Sequence, residues 1–324
     1  MRTQKRTRLI IAIIVLLTFT VPSQVNAKAT PRRLDGKNRF EIALHAAFQE
    51  FEDTHKVILV NSNAWADALS ACNLSDGEAP IFYVRSNSID DDTFQWMAAH
   101  PLDEIILIGG EKSISKDVEA TLRSQFSDAK IVRYDGRDRY EVSLAIVEAA
   151  PKKKTILATG TTYADALVAA PLITSQDANL LIVNPQNLGE EAVTYLCQKN
   201  GDLMIVGNTI SDETVSAALD AHDASQEITV IGGSDRYEVS ANIQKIFFKD
   251  PRSVIAASGE VFSDAVIAGP IAQKINAPIL LVRKDSASPS VREGLFADSV
   301  KGLMVVGGDE TIAASEGLFS EFYE

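Results

Sequence analysis

Three arginines and three aspartates recur at one period, and they are the residues best suited to chemistry. Arg39, Arg139 and Arg236 each precede an aromatic residue and a glutamate: Phe40 and Glu41, Tyr140 and Glu141, Tyr237 and Glu238. Three residues before each arginine stands a glycine: Gly36, Gly136 and Gly233. Asp67, Asp165 and Asp264 each follow an aromatic and a small residue, after Trp65, Tyr163 and Phe262, and each precedes an alanine. A carboxylate in the first turn of a helix is stabilised by the N-terminal partial charge, by ~0.3–1 kcal/mol. At the carboxyl end of a parallel sheet the same carboxylate stands where open α/β folds bind ligands, so a structural and a ligand-binding role both stay open. A guanidinium at a helix start meets an unfavourable dipole unless an acid compensates. The expected pairs are therefore Arg39 with Asp67, Arg139 with Asp165 and Arg236 with Asp264, each within its own repeat. Gly36, Gly136 and Gly233 are expected to supply turns of positive φ between strand and helix.

Catalytic signatures are missing from the sequence. No Gly-x-Gly-x-x-Gly follows a strand, and neither a Walker-type Gly-Lys-Ser/Thr, a Gly-x-Ser-x-Gly nor a His-Glu-x-x-His occurs. His45, His55, His100 and His222 do not recur between repeats, and three of the four are expected at surfaces or in loops. No metal-ligand spacing and no cofactor motif is present, so neither a metal, a cofactor nor catalysis is expected. Cys72 and Cys197 lie among apolar residues on helical stretches and are expected to be buried free thiols. Three similar copies suit a binding module, because weak sites gain by avidity.

The elements that position these residues follow from the period. The motif glycines are 100 and 97 residues apart and the aspartates 98 and 99. A third marker, an aliphatic run ending at Gly109, Gly207 and Gly307, holds the same spacing. Inside the second copy, residues 130–133, 155–159, 180–183 and 203–206 are short aliphatic runs without alternation, which read as buried strands. Between them, residues 139–150, 163–172, 189–199 and 212–221 read as helices. The chain is thus of the α/β class: three tandem doubly wound, mainly parallel α/β modules at 28–128, 129–226 and 227–324. No Pro/Gly-rich linker separates them, so a compact pseudo-threefold arrangement is expected. The strand before each Gly-x-x-Arg motif could be the last strand of the preceding module, with the segment at 30–34 completing the third.

Composition agrees. Of 324 residues 46% are apolar and 23% charged, and 31 basic against 44 acidic residues give a net charge of −13. That balance argues against nucleic acid as a partner. Residues 1–27 read as a signal peptide: Arg2, Lys5, Arg6 and Arg8 precede a 13-residue apolar run, and Ala27 offers a small cleavage residue. Its removal takes four positive charges and leaves −17. The mature product is expected to be exported and not membrane-bound.

These motifs resemble the cell wall-binding repeat type 2 family, modules found in tandem threes in exported proteins of Gram-positive bacteria. The resemblance rests on the Arg-x-x-Gly-x-x-Arg-aromatic-Glu opening, the aromatic-small-Asp-Ala-Leu segment, the Ala-Pro-Ile-Leu-Leu strand at 277–281 and the aliphatic-Gly-Gly strand ends. It implies a pseudo-trimer of α/β modules that holds a protein noncovalently to the cell wall or cell surface through an anionic secondary wall polymer. In such proteins another domain usually carries enzyme or adhesin activity, and a separate effector function is not expected of these residues. The sequence departs from the pattern at Val230, where the other copies carry Arg33 and Arg133, and at 79–83 and 178–182, where the Pro-Ile-Leu-Leu element is altered. Every module is acidic, so a site for an anionic polymer has to be local. Arg33, Arg133 and Arg137 are the expected contacts, with Arg283 and Lys284 beside them, because guanidinium matches phosphate or carboxylate in a bidentate fork. Arg33 and Arg133 are expected in grooves between modules, where removal would leave stability nearly unchanged.

Overall fold

The computed structural model describes residues 30–199, 201–222, 226–313, 316–319 and 322, so the expected signal peptide lies outside the described residues. The chain opens with β1 (Arg32–Leu34) and α1 (Arg39–Glu50), then β2 (Lys56–Asn61), α2 (Trp65–Ser75), β3 (Ile81–Val84) and α3 (Asp91–Ala98). It continues through β4 (Glu104–Ile108), α4 (Lys116–Gln125), β5 (Lys130–Tyr134), α5 (Arg139–Ala149) and β6 (Lys154–Thr159). Next come α6 (Ala164–Ala169), α7 (Leu172–Ser175), β7 (Ala178–Val183), α8 (Glu190–Cys197), β8 (Leu203–Val206) and α9 (Asp212–Ala221). The third copy holds β9 (Ile228–Ile231), α10 (Arg236–Phe247), β10 (Ser253–Ser258), α11 (Phe262–Ala265) and α12 (Ala268–Ile275). It ends with β11 (Ile279–Val282), α13 (Pro289–Leu295), β12 (Gly302–Val306) and α14 (Glu316–Phe319).

Three four-stranded parallel sheets result, in the orders β3-β2-β4-β5, β7-β6-β8-β9 and β1-β12-β10-β11. Even the edge strands Ile81–Val84 and Ile279–Val282 are apolar and buried along their length, because helices cover both faces. Each sheet takes its last strand from the neighbouring module, from the stretch just before that module's Gly-x-x-Arg motif. Lys130–Tyr134 pairs with β4 in the first sheet and Ile228–Ile231 with β8 in the second, although both follow the 128/129 and 226/227 divisions. The ring closes through β1, whose Arg33 is in register with Val305 of β12. The first strand among the described residues thereby completes the third sheet.

Helices seal the modules to one another in the same cyclic order. α2 packs on α5, α6 on α10, and α11 on α1. At the centre three equivalent positions meet: Cys72, Ala170 and Gly269. A Cβ placed on Gly269 would lie 2.8 Å from Cys72 Sγ and 3.4 Å from Ala170 Cβ. The Gln273 amide donates to the carbonyls of Cys72 (3.0 Å) and Ala170 (3.2 Å), joining all three modules at the axis.

Two expectations need local correction. The helix expected over 163–172 is interrupted after Ala169, because Pro171 has no N–H to donate and starts a separate turn, α7. Cys197 is exposed on α8 rather than buried, whereas Cys72 is buried as expected. His222 is buried and the other three histidines are not, as the sequence suggested. Among the described residues no helix is long and apolar enough to cross a membrane.

Candidate functional site

The repeated residues converge on three clefts between consecutive modules, at the carboxyl ends of the sheets. Each cleft has three walls. The first is the loop leaving β4, β8 or β12, which turns at a glycine of positive φ: Gly109 (98°), Gly207 (96°) and Gly307 (128°). The second is the first turn of α2, α6 or α11, which carries Asp67, Asp165 or Asp264, all buried. The third is the Gly-x-x-Arg turn of the following module.

That turn is built locally. Asn38, Asp138 and Asp235 cap their helices, each Oδ1 accepting from two backbone N–H groups, such as those of Tyr140 (2.9 Å) and Glu141 (3.1 Å). The motif glutamates reach back to the N–H of Lys37, Arg137 and Ser234. Gly36, Gly136 and Gly233 do not adopt positive φ, contrary to the sequence expectation. They are required because the turn folds onto the helix start: a Cβ on Gly136 would lie 2.6 Å from Glu141 Cβ and 2.7 Å from Val142 N.

The expected ion pairs within repeats do not form; among the described residues no ion pair joins a motif arginine to a motif aspartate. Each arginine instead bridges an interface. Arg139 Nη1 donates to the Gly160 carbonyl of its own module (2.7 Å), and its guanidinium lies 5.2 Å from the Trp65 ring of the preceding one. Arg236 repeats this with Gly259 (2.6 Å) and Tyr163 (5.7 Å), and Arg39 with Ser62 and Phe262 (5.1 Å). The sequence reading missed the acceptor role of these aromatics, although their recurrence one residue before the small-Asp pair was the available signal.

Burial dominates Asp67 and Asp165. It pushes Asp67 up to about 6, against the opposing field of Arg139 from the next module. Asp165 is likewise pushed to about 6 by burial, opposed by the Thr209 hydroxyl and Arg236. Hydroxyls of the strand-end loops donate to the carboxylates, Thr311 to Asp264 at 3.1 Å and Thr209 to Asp165 at 3.4 Å.

Arg33 and Arg133 lie at the strand ends, as expected, but their donors are engaged. Arg133 donates to the carbonyls of Gly109 (2.7 Å) and Ile114 (3.0 Å) and pairs with Glu119 at 2.8 Å. Arg33 holds Gly307 (2.7 Å) and Ile312 (3.0 Å) in the same way. Both pin the cleft loop from behind, so removing either leaves loop carbonyls without these donors, a role the expectation of unchanged stability did not include. Arg137 is largely exposed on the wall of the cleft between the first two modules, beside Glu141 and Glu191. Arg283 pairs with Asp235 at 3.8 Å and Lys284 with Glu310 at 3.6 Å, so both sit behind cleft-lining acids.

The clefts are unequal. Those between modules three and one and between one and two enclose about 710 and 670 Å³, the remaining one about 250 Å³. Asn208 stands where the other copies have Gly110 and Gly308, and its carboxamide bonds the backbone of Gly233. The loop there is also two residues shorter. Among the described residues no group of His, Cys, Asp and Glu is placed to hold a metal ion.

Comparison with known proteins agrees with this architecture. An amidase enhancer of Bacillus subtilis is 29% identical over 300 residues, 91% of this chain and 41% of its own length. The N-acetylmuramoyl-L-alanine amidase LytC of the same organism is 23% identical over 92% of this chain and 59% of its own. The chain thus spans about half the length of the curated relatives it matches. The solved structure of Cwp6 from Clostridium difficile superposes with a TM-score of 0.80 at 23% identity, over 90% of this chain and 48% of that one. Cwp8 from the same organism also reaches 0.80 at 22% identity, over 91% of this chain and 51% of its own. The family model described as cell wall binding domain 2 (CWB2) matches three times, at residues 33–119, 133–215 and 230–316, and the chain belongs to that family.

Proposed function

We propose that the chain binds noncovalently to the bacterial cell wall through an anionic secondary wall polymer seated in the clefts between modules, and that it has no catalytic activity of its own. The observation that carries this reading is the threefold recurrence of one cleft, built from equivalent residues at the carboxyl ends of parallel sheets. The two Bacillus relatives support it, since an amidase and an amidase enhancer share with this chain the same three-module region. With residues 1–27 read as a signal peptide, the protein is exported to the surface of a Gram-positive cell.

Arg137 is the proposed direct contact. Arg33 and Arg133 act by holding the cleft loops, and Arg283 and Lys284 by partnering acids that line the other two clefts. Every module is acidic, so recognition is short-ranged and only modestly salt-sensitive. Sedimentation with purified walls tests the reading: the protein is expected to pellet with native walls and to stay in solution once their secondary polymers are stripped. Equal retention on stripped walls would overturn the polymer assignment. Release of reducing ends or free amines from peptidoglycan would favour a hydrolase on this scaffold, and ordered arrays without polymer a surface-layer component.

A further inference from the structure

Equivalent positions also differ beside the aromatic that follows each motif arginine. Just after β3 and β11 stand Arg85 and Arg283. Arg85 lies 4.4 Å from the Phe40 ring centroid and Arg283 4.0 Å from that of Tyr237, each covering the aromatic that follows a motif arginine. Asp90 holds Arg85 in place, and Asp235 holds Arg283. In the second module the corresponding residue is Asn184, and among the described residues no cation covers Tyr140. A cavity of about 220 Å³ opens there instead.

Its lining is that of a sugar site. Leu144, Leu181 and Leu188 supply an apolar side, and the Tyr140 ring is backed by Gly160, where a Cβ would clash with it. Asn184 Oδ1 accepts the Gln186 N–H and Asn187 Oδ1 accepts the Gly189 N–H, both at 3.0 Å. The oxygens are thereby committed to the loop, and the two amide nitrogens remain as donors. Arg137 is compensated by Glu141 and by Glu191 at 3.8 Å, so the lining is acidic overall and offers carboxylates to hydroxyl donors. An anion is disfavoured by that charge. The volume is below the ~300–1,000 Å³ of clefts for drug-sized ligands, which suits one six-membered ring.

We propose that this pocket binds a single neutral pyranose residue, with its apolar face on Tyr140 and its hydroxyls on Asn184, Asn187 and Glu191. The proposal goes beyond the wall-polymer reading, because the pocket lies within one module and shares only the Arg137–Asp138 lip with the neighbouring cleft. Methyl-labelled protein titrated with the methyl glycosides of glucose, galactose and N-acetylglucosamine tests it. Saturable shifts are expected at the methyls of Leu144, Leu181 and Leu188, with dissociation constants on the order of 1–50 mM. Asn184→Arg installs the residue that the other two modules tolerate, and is expected to weaken binding by about tenfold or more, a loss on the scale of one ordinary hydrogen-bonded contact. Tyr140→Leu keeps apolar bulk but removes the ring face, and lowers affinity in the same direction. Absence of saturable shifts with all three glycosides overturns the proposal, as does binding unchanged by both substitutions. Wall sedimentation of the unsubstituted protein separates the two readings: retention without glycoside shifts removes the pocket alone, and glycoside shifts without retention remove the wall reading alone.

Discussion

The guanidinium of Arg139 lies 5.2 Å from the ring centroid of Trp65 in the preceding module, while its Nη1 stays hydrogen-bonded to Gly160 in its own. One side chain therefore measures whether two modules are docked. Arg139→Ala is expected to cost ~1–3 kcal/mol, by the loss of a charged hydrogen bond and of the ring contact. In a double-mutant cycle read by thermal or urea unfolding, Arg139→Ala and Trp65→Leu should couple by ~0.5–1 kcal/mol. Arg139→Ala and Asp165→Asn should couple less, since those two groups form no ion pair; the reverse order would contradict the bridging role.

Arg133 is a structural residue. Its removal takes away one of the two arginines that hold Glu119, Arg123 being the other, and leaves the carbonyls of Gly109 and Ile114 without this donor. Arg133→Ala is expected to lower stability by ~1–3 kcal/mol, which unfolding curves would show directly. Val230 occupies the equivalent place in the third repeat and is exposed, so Val230→Ala should change stability by no more than ~0.5 kcal/mol. Comparable effects of the two substitutions would be inconsistent with this assignment.

Asp67 and Asp165 make stability depend on pH. An aspartate in an unfolded chain titrates near ~3.9, whereas burial holds both of these near about 6. Between those values the folded chain keeps more protons than the unfolded one, so their contribution to stability falls as pH rises through ~4 to 6. The loss is complete above about 6. Asp165→Asn removes one such group, so its melting temperature relative to the unsubstituted protein should climb across that window. The gain is ~1–2 kcal/mol, bounded by the shift at 1.36 kcal/mol per pK unit. A flat or falling difference would count against a buried, burial-shifted carboxylate.

The two thiols should behave oppositely. Cys72 is buried on the axis and its thiol is pushed up to about 12 by burial, so a thiol reagent should reach it only after unfolding. Cys197 is exposed and should label in the native state. A Cβ on Gly269 would stand 2.8 Å from Cys72 Sγ, so Gly269→Ala should destabilise the chain and Cys72→Ala should restore part of the loss. Native-state labelling of both cysteines, or no rescue by Cys72→Ala, would refute the central packing.

Most of the architecture is determined locally and is therefore legible in the sequence. Non-alternating aliphatic runs specify buried parallel strands, and the period of about 98 residues in three independent markers specifies three modules. Even the closure of β1 onto β12 could be anticipated, because the segment at 30–34 had no other sheet to join. Partner choice was not legible. Arg139 recurs with Asp165 at one period whether it meets that aspartate or the aromatic of the preceding module, and only the docking of α2 on α5 decides between them. The same holds for Arg133, whose strand-end position is local but whose three acceptors arrive from a loop and a helix 14 to 24 residues away. The Tyr140 pocket is the extreme case. Asn184 is unremarkable along the chain and acquires meaning only because the fold sets its counterparts, Arg85 and Arg283, over an aromatic ring some 45 residues earlier. Periodicity records what a residue repeats with, and tertiary packing decides what it touches.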